Sequence, residues 1–416
     1  MKKLIELGKS LLIAVLICTL LLLTFAAMPV DMIRGNPTLS TVLQPFAPLL
    51  GLPQAELAYV EDARPVSDAA QPLSISVLNS AGRYTARWDF AALDSAYETL
   101  GGILGEALDT AESFAAVRPD RMEQVLSCPG VCFDYGFSLS ARLLASWLDA
   151  APVDSVPEGS MYVLALEEER VVLYLYGTGC YRAETQVDPQ TFTALLDTFK
   201  EDGSHYAFET DSHLSRLTLI PGSDPVITAA TSANPCDTRY IENLATELGF
   251  NPYDDSSYTD SSGSTWFSET NCSLQVSANG EILLTSTSGE RFLAAGEGTE
   301  SLVEEARALV ELAVGDVIGD ARIYLSGVTR SGDETVCTFD YVLNGIPVQC
   351  GEAAASVTFR GRALTEFRML AAQFAQSAEV MKILPHTQVA AILPKGGKLT
   401  LEYDRTTTGP LAAGWK

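Results

Sequence analysis

At 416 residues and 47% apolar content, the chain is too long for one ordinary core and too apolar for wholesale disorder, so two or three domains are expected. Its 53 acidic against 27 basic residues give a net charge of −26, which disfavours nucleic acid and anionic lipid headgroups as partners. Residues 1–30 hold three Lys and one Glu, so the acidic excess lies in the body of the chain beyond residue 30, where it serves solubility or meets a basic partner.

Ser10–Met28 carries no charge, and its polar interruptions after Ser10 are Thr19 and Thr24. As a helix it spans about 28 Å, one hydrocarbon core. Lys2, Lys3 and Lys9 precede it, so the positive-inside rule puts the N-terminus in the cytoplasm and the body outside the membrane. The competing reading is a cleaved signal peptide, with small residues for a peptidase at Thr24–Ala27. The apolar run exceeds the roughly 7–15-residue core of such a peptide, which favours an uncleaved single-pass anchor over residues 1–30. Ala14, Cys18 and Thr19 are small or weakly polar, and Ala14 and Cys18 share a face. They are the candidate partner-binding residues for helix contacts in lipid; the plainer alternative is that they face lipid.

Residues 31–72 contain Pro37, Pro45, Pro48, Pro53, Pro65 and Pro72, which predicts a linker without long regular elements. A first α+β domain is expected over 73–220. Leu73–Val77 alternates as a half-buried strand, Asn79–Gly82 turns, and Arg83–Trp88 returns. Leu93, Tyr97, Leu100, Leu104 and Leu108 predict a helix over Phe90–Leu108, weakened by three glycines. Further expected elements are a helix Asp120–Leu126 behind Pro119, a strand Val131–Phe137 and a helix Ser138–Leu148. A hairpin Met161–Leu166/Val171–Tyr176 turns through Glu167–Arg170. A helix Gln190–Lys200, capped by Asp188-Pro189, and a strand Leu214–Ile220 come next.

Residues 221–295 are expected to be a middle linker and β-hairpin region. Pro221–Pro235 reads as linker, Thr238–Leu248 as a helix stopped by Gly249, and Asn251–Ser264 as a polar tract. Strands are expected at Thr265–Phe267, Cys272–Ser277 and Glu281–Ser286, with Asn279-Gly280 turning the last pair. Residues 296–416 form the last α+β domain. Ser301–Glu304 matches a capping box, and Leu302, Ala306, Leu309 and Ala313 make one helical face ended by Gly315. Strands Ile323–Thr329 and Thr335–Leu343 come after it, then Ile346–Cys350 beyond the Asn344-Gly345 turn, a hairpin Ala355–Phe359/Ala363–Met369, and elements at Gln388–Leu393 and Leu399–Tyr403. Val131–Tyr135 (VCFDY) recurs loosely as Val336–Tyr341 (VCTFDY). The echo suggests a duplicated unit, but it is short enough to arise by chance.

Chemical motifs are sparse. The histidines are His205, His213 and His386, and no H-E-x-x-H pattern occurs, so no metal site and no cofactor is expected. There is no G-x-S-x-G elbow and no phosphate-binding G-x-x-x-x-G-K-[ST] loop. A nucleophile drawn from Cys128, Cys132 or Cys180 with a histidine lacks any local motif. The Asp254–Gly263 tract has the composition of a calcium loop but no glutamate at its twelfth position. No catalytic residue is therefore assigned, and the chain reads as a non-enzyme. Seven cysteines lie outside the anchor, an odd number, and no pairing can be read from their spacing.

The layout resembles the YycH/YycI family of membrane-anchored regulators of the WalK (YycG) two-component sensor kinase. The resemblance rests on the single N-terminal anchor and on Gly82–Tyr84 and Glu106–Leu108 leading to Val131–Tyr135. It extends through Phe339–Val348 and the ending from Leu384-Pro385 to Leu401–Tyr403. Both domains are expected to be helix-plus-antiparallel-sheet units, and the last, a helix feeding an antiparallel meander, is also similar to PepSY modules. The family resemblance implies a non-enzymatic regulator in the cell membrane whose anchor, residues 10–28, sits in the bilayer and packs against the transmembrane helices of a sensor histidine kinase, with a paralogous regulator as a further partner and no nucleic acid. The alternative is a PepSY-like envelope binding module or protease inhibitor.

Overall fold

The computed structural model describes residues 69–151, 157–253, 257–269, 271–287, 291–405 and 408–416. Among the described residues strand outweighs helix, 40% to 23%, and the strands form sheets on which separate helices pack, so the architecture is α+β. Among the described residues no helix is long and apolar enough to cross a membrane. Ser10–Met28, with Ala14, Cys18 and Thr19, and the Pro-rich stretch up to residue 68 lie outside the described residues.

The first lobe begins with β1 (Ser74–Leu78) and β2 (Arg83–Ala86), followed by α1 (Phe90–Thr110), β3 (Ala115–Val117), α2 (Arg121–Val125) and β4 (Gly130–Ser140). Then come α3 (Ala141–Trp147), β5 (Glu158–Glu167), β6 (Arg170–Tyr176), β7 (Cys180–Glu184) and α4 (Pro189–Leu196). The seven strands form one sheet in the order β2-β1-β4-β5-β6-β7-β3. Asp89 caps α1 by accepting from the Ala91 and Ala92 amides, and Leu93, Leu100, Leu104 and Leu108 are buried along one stripe. Asp188 caps α4 through the Thr191 amide at 2.8 Å, with Pro189 in its first turn.

Two expectations need correction here. The helix expected from Ser138 starts at Ala141, because β4 continues past a register shift and pairs Leu139 with Gly159 and Ser140 with Glu158. Gly136, at φ +75°, makes that irregularity possible. The strand expected over Leu214–Ile220 shrinks to β9 (Leu219–Ile220), paired with β8 (His205–Tyr206). Upstream, the Phe208 amide donates to Arg216 O and the Ser215 amide to Gly397 O, so that backbone is satisfied outside any ladder.

The second lobe opens with β10 (Thr228–Ala233), α5 (Thr238–Glu247), β11 (Ser257–Thr259), β12 (Thr265–Glu269), β13 (Cys272–Val276), β14 (Glu281–Ser286) and α6 (Thr299–Val314). It continues with β15 (Ala321–Ser331), β16 (Glu334–Leu343), β17 (Ile346–Gln349), β18 (Ala355–Arg360), β19 (Ala363–Leu370) and β20 (Gln373–Val380). The last elements are α7 (His386–Ile392), β21 (Leu401–Asp404), β22 (Gly409–Pro410) and β23 (Ala412–Trp415). Eleven strands form one sheet in the order β11-β12-β13-β14-β19-β18-β16-β17-β21-β23, with β15 on the other edge of β16. The strands of the 257–286 region thus share a sheet with those near the C-terminus. Strict alternation gives this sheet one apolar face: Phe267, Leu274, Leu284, Phe367, Val357 and Cys337 are all buried. Helix α6 packs on β16 and β18 through a stripe that includes Leu302, Ala306, Leu309 and Ala313.

Three further corrections concern this lobe. Pro221–Pro235, expected to be linker, contains β10, which pairs with the unexpected strand β20 (Ala233 with Gln373, Thr228 with Val380). Both strands are rich in Ala, Ser and Gln, so pairing and not propensity makes them strands. The capping box at Ser301–Glu304 does not form: α6 starts earlier, with Gly298 as N-cap, and Glu304 accepts instead from Trp147 and Arg307. Finally, β17 and β21 pair in parallel, which interrupts the expected antiparallel meander. The seven cysteines beyond residue 30 are free thiols.

Both lobes belong to one compact unit. The Phe90 amide donates to Asn344 Oδ1 at 3.1 Å, and Trp88 meets Trp415 edge-on at 5.3 Å between ring centres. Strand β15 lies against β4 and helix α6 against α3, so the lobes meet along these elements.

Candidate functional site

The junction of the lobes holds a cleft of about 400 Å³, large enough for a small organic ligand. Helix α1 supplies Asp94, Tyr97 and Glu98, which share one face at three- and four-residue spacing. Helix α6 supplies Arg307 and Glu311, again four apart, and β15 supplies Arg322 and Tyr324 from one side of the strand. Trp147, at the end of α3, closes one wall.

Arg322 dominates the cleft. Its Nη1 and Nη2 donate to the two oxygens of Asp94 at 2.7 Å each, a fork-on-fork pair. The guanidinium also lies 4.0 Å from the centre of the Phe90 ring, which adds a cation–π attraction. This Arg322 contact holds the Asp94 carboxyl below its usual range, and Asp94 in turn raises Arg322. Neither group exchanges a proton near neutral pH, so the pair works as a clamp and not as an acid or base.

Gln71 completes the clamp. Its Nε2 donates to Asp94 Oδ1 at 2.6 Å, while its Oε1 accepts from Arg322 Nη1 at 2.8 Å and from the Tyr324 hydroxyl at 2.9 Å. A second tether crosses nearby: the Trp147 indole donates to Glu304 at 2.6 Å, and Glu304 also pairs with Arg307 at 2.9 Å. The cleft therefore joins aromatic walls to fixed charges of both signs. That combination suits binding an amphipathic ligand and offers no nucleophile–base pair.

The groups considered from the sequence lie elsewhere. Ala14, Cys18 and Thr19 are outside the described residues. His205 contacts Gly203 O, His213 contacts Leu393 O, and His386 is bonded to Asp224. Burial pushes the thiols of Cys128, Cys132 and Cys180 up, which disfavours a thiolate at any of them. Asp260, in the calcium-like tract, is held at about 2 by donors from Ser262, Trp266 and Ser264, so it closes its own turn. Among the described residues no group of three or more His, Cys, Asp or Glu converges as metal ligands.

Sequence reasoning missed Gln71, Asp94, Trp147, Arg307, Arg322 and Tyr324. The one available signal was the spacing of Asp94, Tyr97 and Glu98 on one side of α1, and that helix carries further acidic residues at Glu106 and Asp109. Nothing in the sequence joins that face to β15. Compared with known protein families, curated proteins and solved structures, the chain matches none.

Proposed function

We propose that the chain is a non-enzymatic, membrane-anchored extracytoplasmic regulator of a cell-envelope sensor kinase, and that occupancy of the interlobe cleft is relayed through the anchor. The observation that carries this reading is the position of Gln71. It stands at the end of the segment that leads from Ser10–Met28, and it bonds at once to Asp94 of the first lobe and to Arg322 and Tyr324 of the second. In this reading a ligand that rearranges the clamp acts on the chain at Gln71, downstream of Ser10–Met28. The differential contacts needed for a population shift are thus at the cleft itself. The acidic body and the uncharged stretch behind three lysines support the membrane placement.

The test replaces Leu7–Met28 with an unrelated transmembrane helix and measures kinase-dependent transcription at matched abundance. Loss of regulation is expected. Full regulation by the chimera sinks the helix-contact mechanism and favours the envelope-binding alternative, in which the body acts without a specific anchor.

A further inference from the structure

The face of the eleven-stranded sheet opposite its core bears a second, separate feature. On β11 and β12, Tyr258 and Trp266 stand directly opposite each other, with ring planes within 8° and centres 6.4 Å apart. Register carries the same row onward to Gln275, Leu283, Arg368 and Ser356 on the next four strands. None of these six side chains is buried, and Tyr258 is 57% exposed. Five strand spacings make the row about 24 Å long.

The chemistry of the row is selective. Two parallel aromatic rings stack on each other at one end, and each keeps one electron-rich face turned away from its partner. The Trp266 indole is fixed by Asp260 at 3.0 Å, so its ring is pre-organised before any ligand arrives. The remaining positions offer an amide, a hydroxyl and a small apolar surface. The one charged member, Arg368, lies 3.7 Å from both Glu281 and Glu366 and is locally neutralised. A pyranose ring has matching properties: one face of C–H groups for an aromatic ring, and a rim of hydroxyls for amides and hydroxyls. An extended sugar chain also advances by about one strand spacing per ring. The strongly acidic protein disfavours polyanions on this surface.

We propose that this row, from Tyr258 to Ser356, binds an extended uncharged glycan, with Tyr258 and Trp266 stacking on its sugar rings. The site is distinct from the interlobe cleft and does not depend on the regulator reading.

The test titrates the full-length chain, kept in a detergent without a sugar headgroup, with the hexamers of N-acetylglucosamine and of glucose. Calorimetry is the readout, and a hexasaccharide of hyaluronan is the anionic control. At least one neutral hexamer is expected to bind saturably. Trp266→Ala and Tyr258→Ala should each weaken that binding about tenfold or more. Tyr258→Phe, which keeps the ring, should retain it. Because Tyr258 is exposed, its replacement leaves the core intact and keeps the test decisive even if the Trp266 variant folds poorly. Absence of saturable binding by either neutral hexamer, equal or tighter binding of the anionic control, or binding unchanged by Tyr258→Ala overturns the proposal.

Discussion

Arg322 and Asp94 are joined by two hydrogen bonds of 2.7 Å across the lobe junction, with Gln71 bonded to both. The Asp94 side chain is 45% exposed, so water screens the pair and its worth is modest. A double-mutant cycle with Arg322→Ala and Asp94→Ala is expected to give a coupling of about 1 kcal/mol, falling as salt is raised. Asp94 has a depressed folded-state pKa, so its contribution is complete above the unfolded carboxylate value and disappears as pH falls through the folded one. Chemical denaturation from pH 7 to pH 2 should show an acid-labile component that Asp94→Asn removes.

Asp224 holds the start of α7 in a similar way. One oxygen accepts from both the His386 amide and His386 Nδ1, at 2.7 Å each, and this lowers the Asp224 pKa. Asp224→Ala strips both donors of their acceptor, and His386 is buried. A loss of about 1–2 kcal/mol in urea denaturation is expected. The sign with pH is the same as for Asp94: the stabilisation is present above the unfolded carboxylate pKa and is lost as acid protonates Asp224.

The thiols make a third prediction. Burial pushes Cys236 and Cys337 up to about 12 and Cys350 up to about 11. Cys337 is fully buried in the sheet core, whereas Cys128 is half-buried on the first lobe. A thiol reagent at neutral pH should label Cys128 well before Cys337, which should react only on unfolding. Rapid labelling of Cys337 in the native protein would contradict the assigned core face of β16.

Sequence range explains why so much of the fold was legible and so little of the site. The helix at Phe90–Thr110 and the strand at Glu334–Leu343 announce themselves through local period, because each buries one continuous stripe. The Asp188-Pro189 start of α4 is legible for the same reason: the cap acts within three residues. By contrast, β10 and β20 are strands because they meet each other, and their own composition carries little preference. Glu304 had the right spacing for a capping box, yet the Trp147 indole and Arg307 compete for its oxygens. The cleft is the extreme case, since Arg322 lies 251 residues from Gln71 and 228 from Asp94 in the chain.

The Asn344-Gly345 turn tests the lobe junction from its other side. Asn344 and Gly345 both have positive φ, +51° and +78°, the geometry of a tight hairpin turn between β16 and β17. Gly345 also meets the first lobe: a Cβ there would come within 3.0 Å of Trp88 N and Cα, and 3.1 Å of the Asp89 amide. Backbone cannot swing aside as a side chain can. Asp89 caps α1 and Phe90 donates to Asn344, so a shift at this point propagates into the helix that carries Asp94. Gly345→Ala should therefore cost about 2–3 kcal/mol, adding contact strain to the left-handed penalty. Gly361 supplies the control, because it has a similar φ of +57° and nothing within 4 Å of an added Cβ. Gly361→Ala should cost only about 1 kcal/mol. Equal losses for the two variants in urea denaturation would show that Gly345 serves the turn alone and that the lobe contact contributes nothing.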